Sequence, residues 1–133
     1  MNANPDKPKV FIVAPQDFDV ETLAEILKGH GIDFIGATKG YPDAKEGPAG
    51  ILKEIQKHPD LTLTTVVIFG WINGYYSDNR EGEAVAQLVA KHLPHVSTIG
   101  LVSVHDKGTF TVDHEVNTMD TDGLIATILF STL

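Results

Sequence analysis

Three stretches decide the fold: Lys9–Ala14 (KVFIVA), Thr64–Phe69 (TTVVIF) and Ser97–Val104 (STIGLVSV). Each is a short, nearly continuous apolar run rich in β-branched residues. Both faces of such a strand want burial, as in the middle of a parallel sheet. Between these runs the apolar spacing changes. Val20, Leu23, Ala24 and Leu27 make one stripe, Ile51, Leu52 and Ile55 a second, and Ala84, Val85, Leu88 and Val89 a third. Each stripe predicts an amphipathic helix. The punctuation agrees, with Pro15, Gly29, Gly31, Pro59 and Pro94 at element ends and Pro48 suited to a first helical turn. Asp17 and Asp19 are candidate N-caps for a helix over 20–28, and Asp78 with Glu81 fits a capping box.

Ile32–Ala37 (IDFIGA) reads as the second strand in chain order. After the fourth strand the rhythm changes. His105-Asp106-Lys107-Gly108 is a tight-turn sequence, and residues 109–116 then alternate. Phe110, Val112, His114 and Val116 face one way; Thr111, Asp113 and Glu115 face the other. That pattern predicts a half-exposed strand running antiparallel to its predecessor. Asp120 or Thr121 caps a last helix over 122–129. The order β-α-β-α-β-α-β-β-α predicts an α/β fold. We expect a three-layer αβα sandwich around a mostly parallel five-stranded sheet of order 2-1-3-4-5, with strand 5 antiparallel at the edge. Residues 1–8 read as a flexible leader and 9–133 as one domain.

Composition narrows the function. Of 133 residues, 42% are apolar and 21% charged, the balance of a chain that buries a core. There is no cysteine, which excludes a disulfide scaffold, a thiolate zinc site, an iron–sulfur cluster and a cysteine nucleophile. The net charge of −8 suits neither non-specific nucleic-acid binding nor an anionic membrane. The leader lacks an apolar core and no apolar run approaches the ~20 residues of a membrane span, so a cytoplasmic location is expected.

In open α/β sheets, ligands and contacts gather at the carboxyl ends of strands, where strand order reverses. Strands one and three flank that point, which brings the loops over 15–19 and 70–79 together. The second, GWINGYYSDN, carries the single Trp (Trp71), two of three tyrosines (Tyr75, Tyr76), Asn73 and Gly74. Aromatic rings in a surface loop serve as a lid, as a protein contact, or simply pack against a helix. The residues placed at this crevice or contact loop are Gln16, Asp17, Trp71, Asn73, Tyr75, Tyr76, Asp78 and Arg80. Arg80 at a helix start suits an anion, though Asp78 and Glu81 in the same turn repel one. No glycine-rich dinucleotide fingerprint or P-loop is present, and no serine sits in a nucleophile elbow.

Four of the six histidines, His30, His58, His92 and His95, fall at or beyond helix C-termini, where the dipole favours a cation. His105, Asp106, His114 and Glu115 converge too loosely for a metal site. Asp120-Thr121-Asp122-Gly123 has a spacing found in some Mg²⁺ sites but reads first as an N-cap.

In element rhythm, and in KVFIVA, TTVVIF and VSTIGLV, the chain from Lys9 to Val104 with the final helix resembles the receiver domain of two-component response regulators, a flavodoxin-like fold. That family holds Mg²⁺ with an acidic pair just after strand one and accepts phosphate on an Asp ending strand three. It adds a small hydroxyl residue after strand four and a Lys ending strand five. Matched by strand ends, the acidic pair falls on Ala14 and Pro15, or at best on Gln16 and Asp17. The phosphoacceptor falls on Gly70, the hydroxyl on Ser103, and the Lys has no match, since Lys107 lies in the turn. The resemblance implies a pseudo-receiver: a non-phosphorylatable signalling module acting through a protein partner or a homodimer at the loop after strand three. No cofactor, metal, nucleic-acid or membrane partner is expected, and no catalytic residue is assigned. The alternative is a small flavodoxin-like enzyme or binder of a nucleotide-type molecule, with Asp17, Asn73, Tyr75, Asp78 and Glu81 lining the crevice.

Overall fold

Strand β1 (Lys9–Ala14) is buried from Val10 to Ala14, which requires a covering layer on each face of the sheet. A computed structural model describes residues 8–58, 64–72, 80–102 and 110–131 and supplies both layers. β1 lies between β2 (Asp33–Lys39) and β3 (Thr64–Phe69); β3 pairs with β4 (Ser97–Val102), and β4 with β5 (His114–Asn117). The sheet order is β2-β1-β3-β4-β5, as the sequence predicts. The helices are α1 (Asp17–Gly29), α2 (Pro48–Gln56), α3 (Arg80–His92) and α4 (Thr121–Ser131). Among the described residues no helix is long and apolar enough to cross a membrane.

The two-residue side-chain period of a strand sorts the core into two. Val10, Ile12, Val67, Phe69, Ile99, Leu101 and Val116 pack with Val20 and Leu27 of α1 and with Leu124, Ile125 and Ile128 of α4. Phe11, Val13, Val66 and Ile68 pack with Ile51, Leu52 and Ile55 of α2 and with Val85, Ala86 and Val89 of α3.

The edge strand corrects one expectation. β5 runs parallel to β4, with Ile99 opposite His114 and Leu101 opposite Val116. The alternation over 110–116 does not lie on one face. Phe110 and Val112 pack into the core under α2 and α3, whereas Val116 packs under α1 and α4. A parallel partner requires the chain to return to the start of β4, and a side-chain exchange fixes that return. Thr98 N–H donates to Asp113 Oδ2 at 2.9 Å, and Asp113 N–H donates to Thr98 Oγ1 at 3.0 Å. Phe110, 5% exposed, anchors the crossover. Its ring lies where a Cβ on Gly100 would come within 2.7 Å, and where one on Gly82 would come within 2.8 Å. Both glycines therefore make room for this ring. Phe110 and Val112, in the described part of the connection, lie on the α3 side of the sheet, the side that right-handed connections in one direction demand. The proposed turn at His105–Gly108 lies outside the described residues.

Helix starts differ slightly from expectation. α1 begins at Asp17 with Gln16 as N-cap, so Asp17 and Asp19 occupy the first turn rather than the cap. There their charge meets the positive end of the helix dipole. Asp120 Oδ1 accepts the Gly123 N–H at 2.9 Å, so the Asp120–Gly123 motif acts as an N-cap.

Two substitutions test this packing by chemical denaturation. Phe110→Ala removes the plug and is expected to lower the unfolding free energy by ~3–5 kcal/mol. Thr38 is buried, and its Oγ1 finds no partner among the described residues. Thr38→Val is therefore expected to leave stability unchanged or raise it, because no hydrogen bond is lost and an unpaired hydroxyl is removed.

Candidate functional site

The carboxyl ends of β1 and β3 meet where the strand order reverses. At the end of β3, Gly70 is held from two sides. Its N–H donates to Leu101 O at 3.0 Å, and its carbonyl accepts the Gly82 N–H at 2.8 Å. The approach of α3 is close: a Cβ on Gly82 would meet Phe69 O at 2.5 Å and Gly70 Cα at 2.8 Å. Backbone, not a carboxylate, occupies this position.

The next two residues diverge. Trp71 is half-buried, stands edge-on to Phe69 (5.4 Å between centroids, 87°), and packs against the core under α1 and α4. Ile72 is buried in the opposite core. Its N–H donates to Glu81 Oε1 at 2.8 Å. The other oxygen, Glu81 Oε2, accepts the Tyr41 hydroxyl at 3.2 Å. Tyr41 follows β2, and its ring packs against the α2/α3 core. Burial, then the nearby Glu81 charge and the hydrogen bond to it, push the phenol up from 10.0 to about 12. Tyr41 therefore remains a donor over the whole working pH range.

At the end of β1, Ala14 is buried and Gln16 is exposed. Asp17 is exposed and paired with Lys39 at 2.7 Å. The hydrogen bond to Asp17, and then its charge, raise the Lys39 pKa. Asp19 is held above the usual carboxylate range by burial, partly offset by a backbone hydrogen bond at Gln16. β5 ends on Asn117, whose Oδ1 accepts the Met119 N–H at 2.8 Å. Among the described residues no cluster of three or more His, Asp or Glu side chains is placed to hold a metal ion. His30 Nδ1 bonds the Ile26 carbonyl at 2.9 Å at the end of α1, and His58, just past α2, stands edge-on to Phe11.

Of the sequence-derived site residues, Gln16, Asp17, Trp71 and Arg80 are described, with Gln16 and Asp17 after β1, Trp71 after β3 and Arg80 opening α3. Asn73, Tyr75, Tyr76 and Asp78 lie outside the described residues, as do Ser103, His105, Asp106 and Lys107. Asp17 and Glu81, assigned to a crevice in the alternative reading, are each engaged within the fold, with Lys39 and with Tyr41 and Ile72. The sequence reading missed Tyr41 and Gly82. A glycine one residue past the expected capping-box Glu81 is the available signal for the latter, since an isolated helical glycine flags close packing.

The fold is that of receiver domains. The signal receiver domain of an HD domain-containing protein from Pseudomonas fluorescens Pf-5 matches with a TM-score of 0.65 at 12% identity, over 95% of this chain and 94% of that one. A response regulator receiver modulated diguanylate cyclase from Pelobacter carbinolicus matches at 0.58 and 18% identity, over 94% of each chain. The RcsB response regulator of Salmonella typhimurium, described for DNA interaction, matches at 0.62 and 12% identity; the chain covers 60% of its length. No family model and no curated protein matches the sequence. Five parallel strands in the order 2-1-3-4-5 with helices on both faces agree with these neighbours.

Two measurements check the geometry. The absorbance titration of wild type minus Tyr41→Phe is expected to show one tyrosine titrating near 12. Because the folded value lies above the unfolded one, this group's stabilisation is full below pH 10 and is lost as the pH rises from 10 to about 12. Tyr41→Phe should flatten that part of the stability profile. Gly82→Ala is expected to destabilise by ~1–3 kcal/mol through overpacking, although alanine is the better helix former by ~1 kcal/mol.

Proposed function

We infer that this chain is a receiver-like signalling module that does not accept phosphate and acts by protein contact through the segment after β3. The observation that carries the reading is at the end of β3. Phe69 is followed by Gly70, whose backbone is closed against β4 and α3. An acyl phosphate needs a carboxylate there, and the nearby Glu81 is already committed to Ile72 and Tyr41. The position after β1 offers Pro15, Gln16 and an Asp17 engaged by Lys39. A hard divalent cation needs several oxygen ligands, and this arrangement provides few. β5 ends on Asn117, where the family places a lysine.

The contact surface in this reading comprises Gln16, Asp17, Trp71, Asn73, Tyr75, Tyr76, Asp78 and Arg80, on one domain over 9–133. The neighbours' names support a signalling context: receiver domains joined there to an HD domain protein and to a diguanylate cyclase. The partner is a protein or a second copy of the chain.

Incubation with acetyl phosphate and Mg²⁺ followed by intact-mass analysis is expected to leave the chain unmodified. An acid-labile phosphate on any aspartate would overturn the reading. A thermal-shift screen against nucleotides, flavins and sugars is expected to be flat. Stabilisation by one of these classes would favour the small-molecule alternative. Sedimentation over a range of concentrations then reads whether the contact is with a second copy.

A further inference from the structure

Residues 40–47 form a short turn between two glycines in the left-handed region, Gly40 at φ +73° and Gly47 at φ +56°. Inside the turn the bonding is local. Glu46 and Gly47 N–H donate to Asp43 O at 3.1 and 2.9 Å, and Lys45 N–H donates to Asp43 Oδ1 at 2.8 Å. Gly40 N–H, bound to Ala14 O at 2.8 Å, fixes the start of the turn to β1. An exposed pair between Lys53 and Glu46 adds a tie to α2, of a kind worth little in water. Short bodies bounded by permissive residues are where a fold absorbs a change of angle.

The body of this turn is fastened to the sheet by Tyr41, through its ring in the α2/α3 core and its hydroxyl on Glu81. The same carboxylate holds the Ile72 N–H with its other oxygen. Glu81 is fixed in place because the next residue, Gly82, is bonded to Gly70. One side chain at the start of α3 thus joins the turn after β2 to the first residues after β3. Hydrogen bonds to a charged acceptor in a half-buried site are among the stronger ones in a fold.

We propose that Tyr41, Glu81 and the Ile72 amide form a latch, so that release of the 40–47 turn and loosening of the end of β3 are a single event. A partner that displaces one segment then moves the other. This latch stands on hydrogen bonds alone and does not depend on whether the chain accepts phosphate.

Hydrogen exchange of single amides, followed by NMR on the full chain, tests it. Tyr41→Phe keeps the ring and removes the donor; it is expected to speed exchange at Ile72 by about tenfold. Glu81→Ala is expected to speed exchange at Glu46 and Gly47 by a similar factor. Glu81→Gln, which keeps an acceptor for Ile72 and gains a donor for Tyr41, is expected to restore both. The amides of Ile12 and Ile99 in the core strands should stay at their wild-type rates. The latch is overturned if Tyr41→Phe leaves Ile72 at its wild-type rate. It is equally overturned if Glu81→Ala leaves Glu46 and Gly47 unchanged, or if Ile12 and Ile99 accelerate to the same degree, which would mark a general loss of stability.

Discussion

The close seating of α3 on the end of β3 governs the carboxyl side of this sheet. Gly82 donates to Gly70 at 2.8 Å, and Gly70 donates to Leu101 at 3.0 Å. These bonds bring the start of a helix within backbone contact of a strand end, so close that a Cβ on Gly82 would force the backbone apart. Three things follow. The Phe110 ring gains the space over Gly82 and Gly100 that anchors the last crossover. Glu81 is aimed at Ile72 and Tyr41. And Gly70, the residue after β3, is closed by its own backbone against β4 and α3.

Much of the architecture was legible because burial on both faces leaves an unambiguous signature. KVFIVA and TTVVIF are apolar at successive positions, and only a covered central strand uses such a run. The sheet order and the helix count came from the same logic. The direction of β5 did not. Phe110, Val112 and Val116 alternate in sequence as a hairpin strand would, yet the first two belong to a crossover packed on one core and the third to a strand packed on the other. Alternation reports burial every second residue, not which layer buries it. The deciding contact is the Thr98–Asp113 exchange between residues fifteen positions apart, and no local pattern encodes that.

The site was legible in place more than in detail. β1 and β3 do lie side by side at the reversal of strand order, and Gly70 does follow the last residue of β3. The engagement of Glu81 was hidden because its residue type and spacing fit a helix cap equally well. Tyr41 sits in TKGYPDAKEG, a stretch whose glycines, proline and charges read as loop; its value comes from a hydrogen bond across forty positions of sequence. Trp71, read in sequence as a lid, a contact or a packed ring, is half-buried and leans on Phe69 against the α1/α4 core.

The chain shares its fold with receivers and, on the proposed reading, lacks their covalent switch, leaving shape and hydrogen bonding as its means of action. Amide NMR of the full chain titrated with Mg²⁺ and beryllofluoride, a phosphoryl mimic, addresses that reading at the atoms concerned. The account predicts that the amides of Ala14, Phe69, Gly70 and Trp71 hold their positions throughout. Saturable shifts converging on these residues would show a working phosphoryl site at the end of β3 and contradict it.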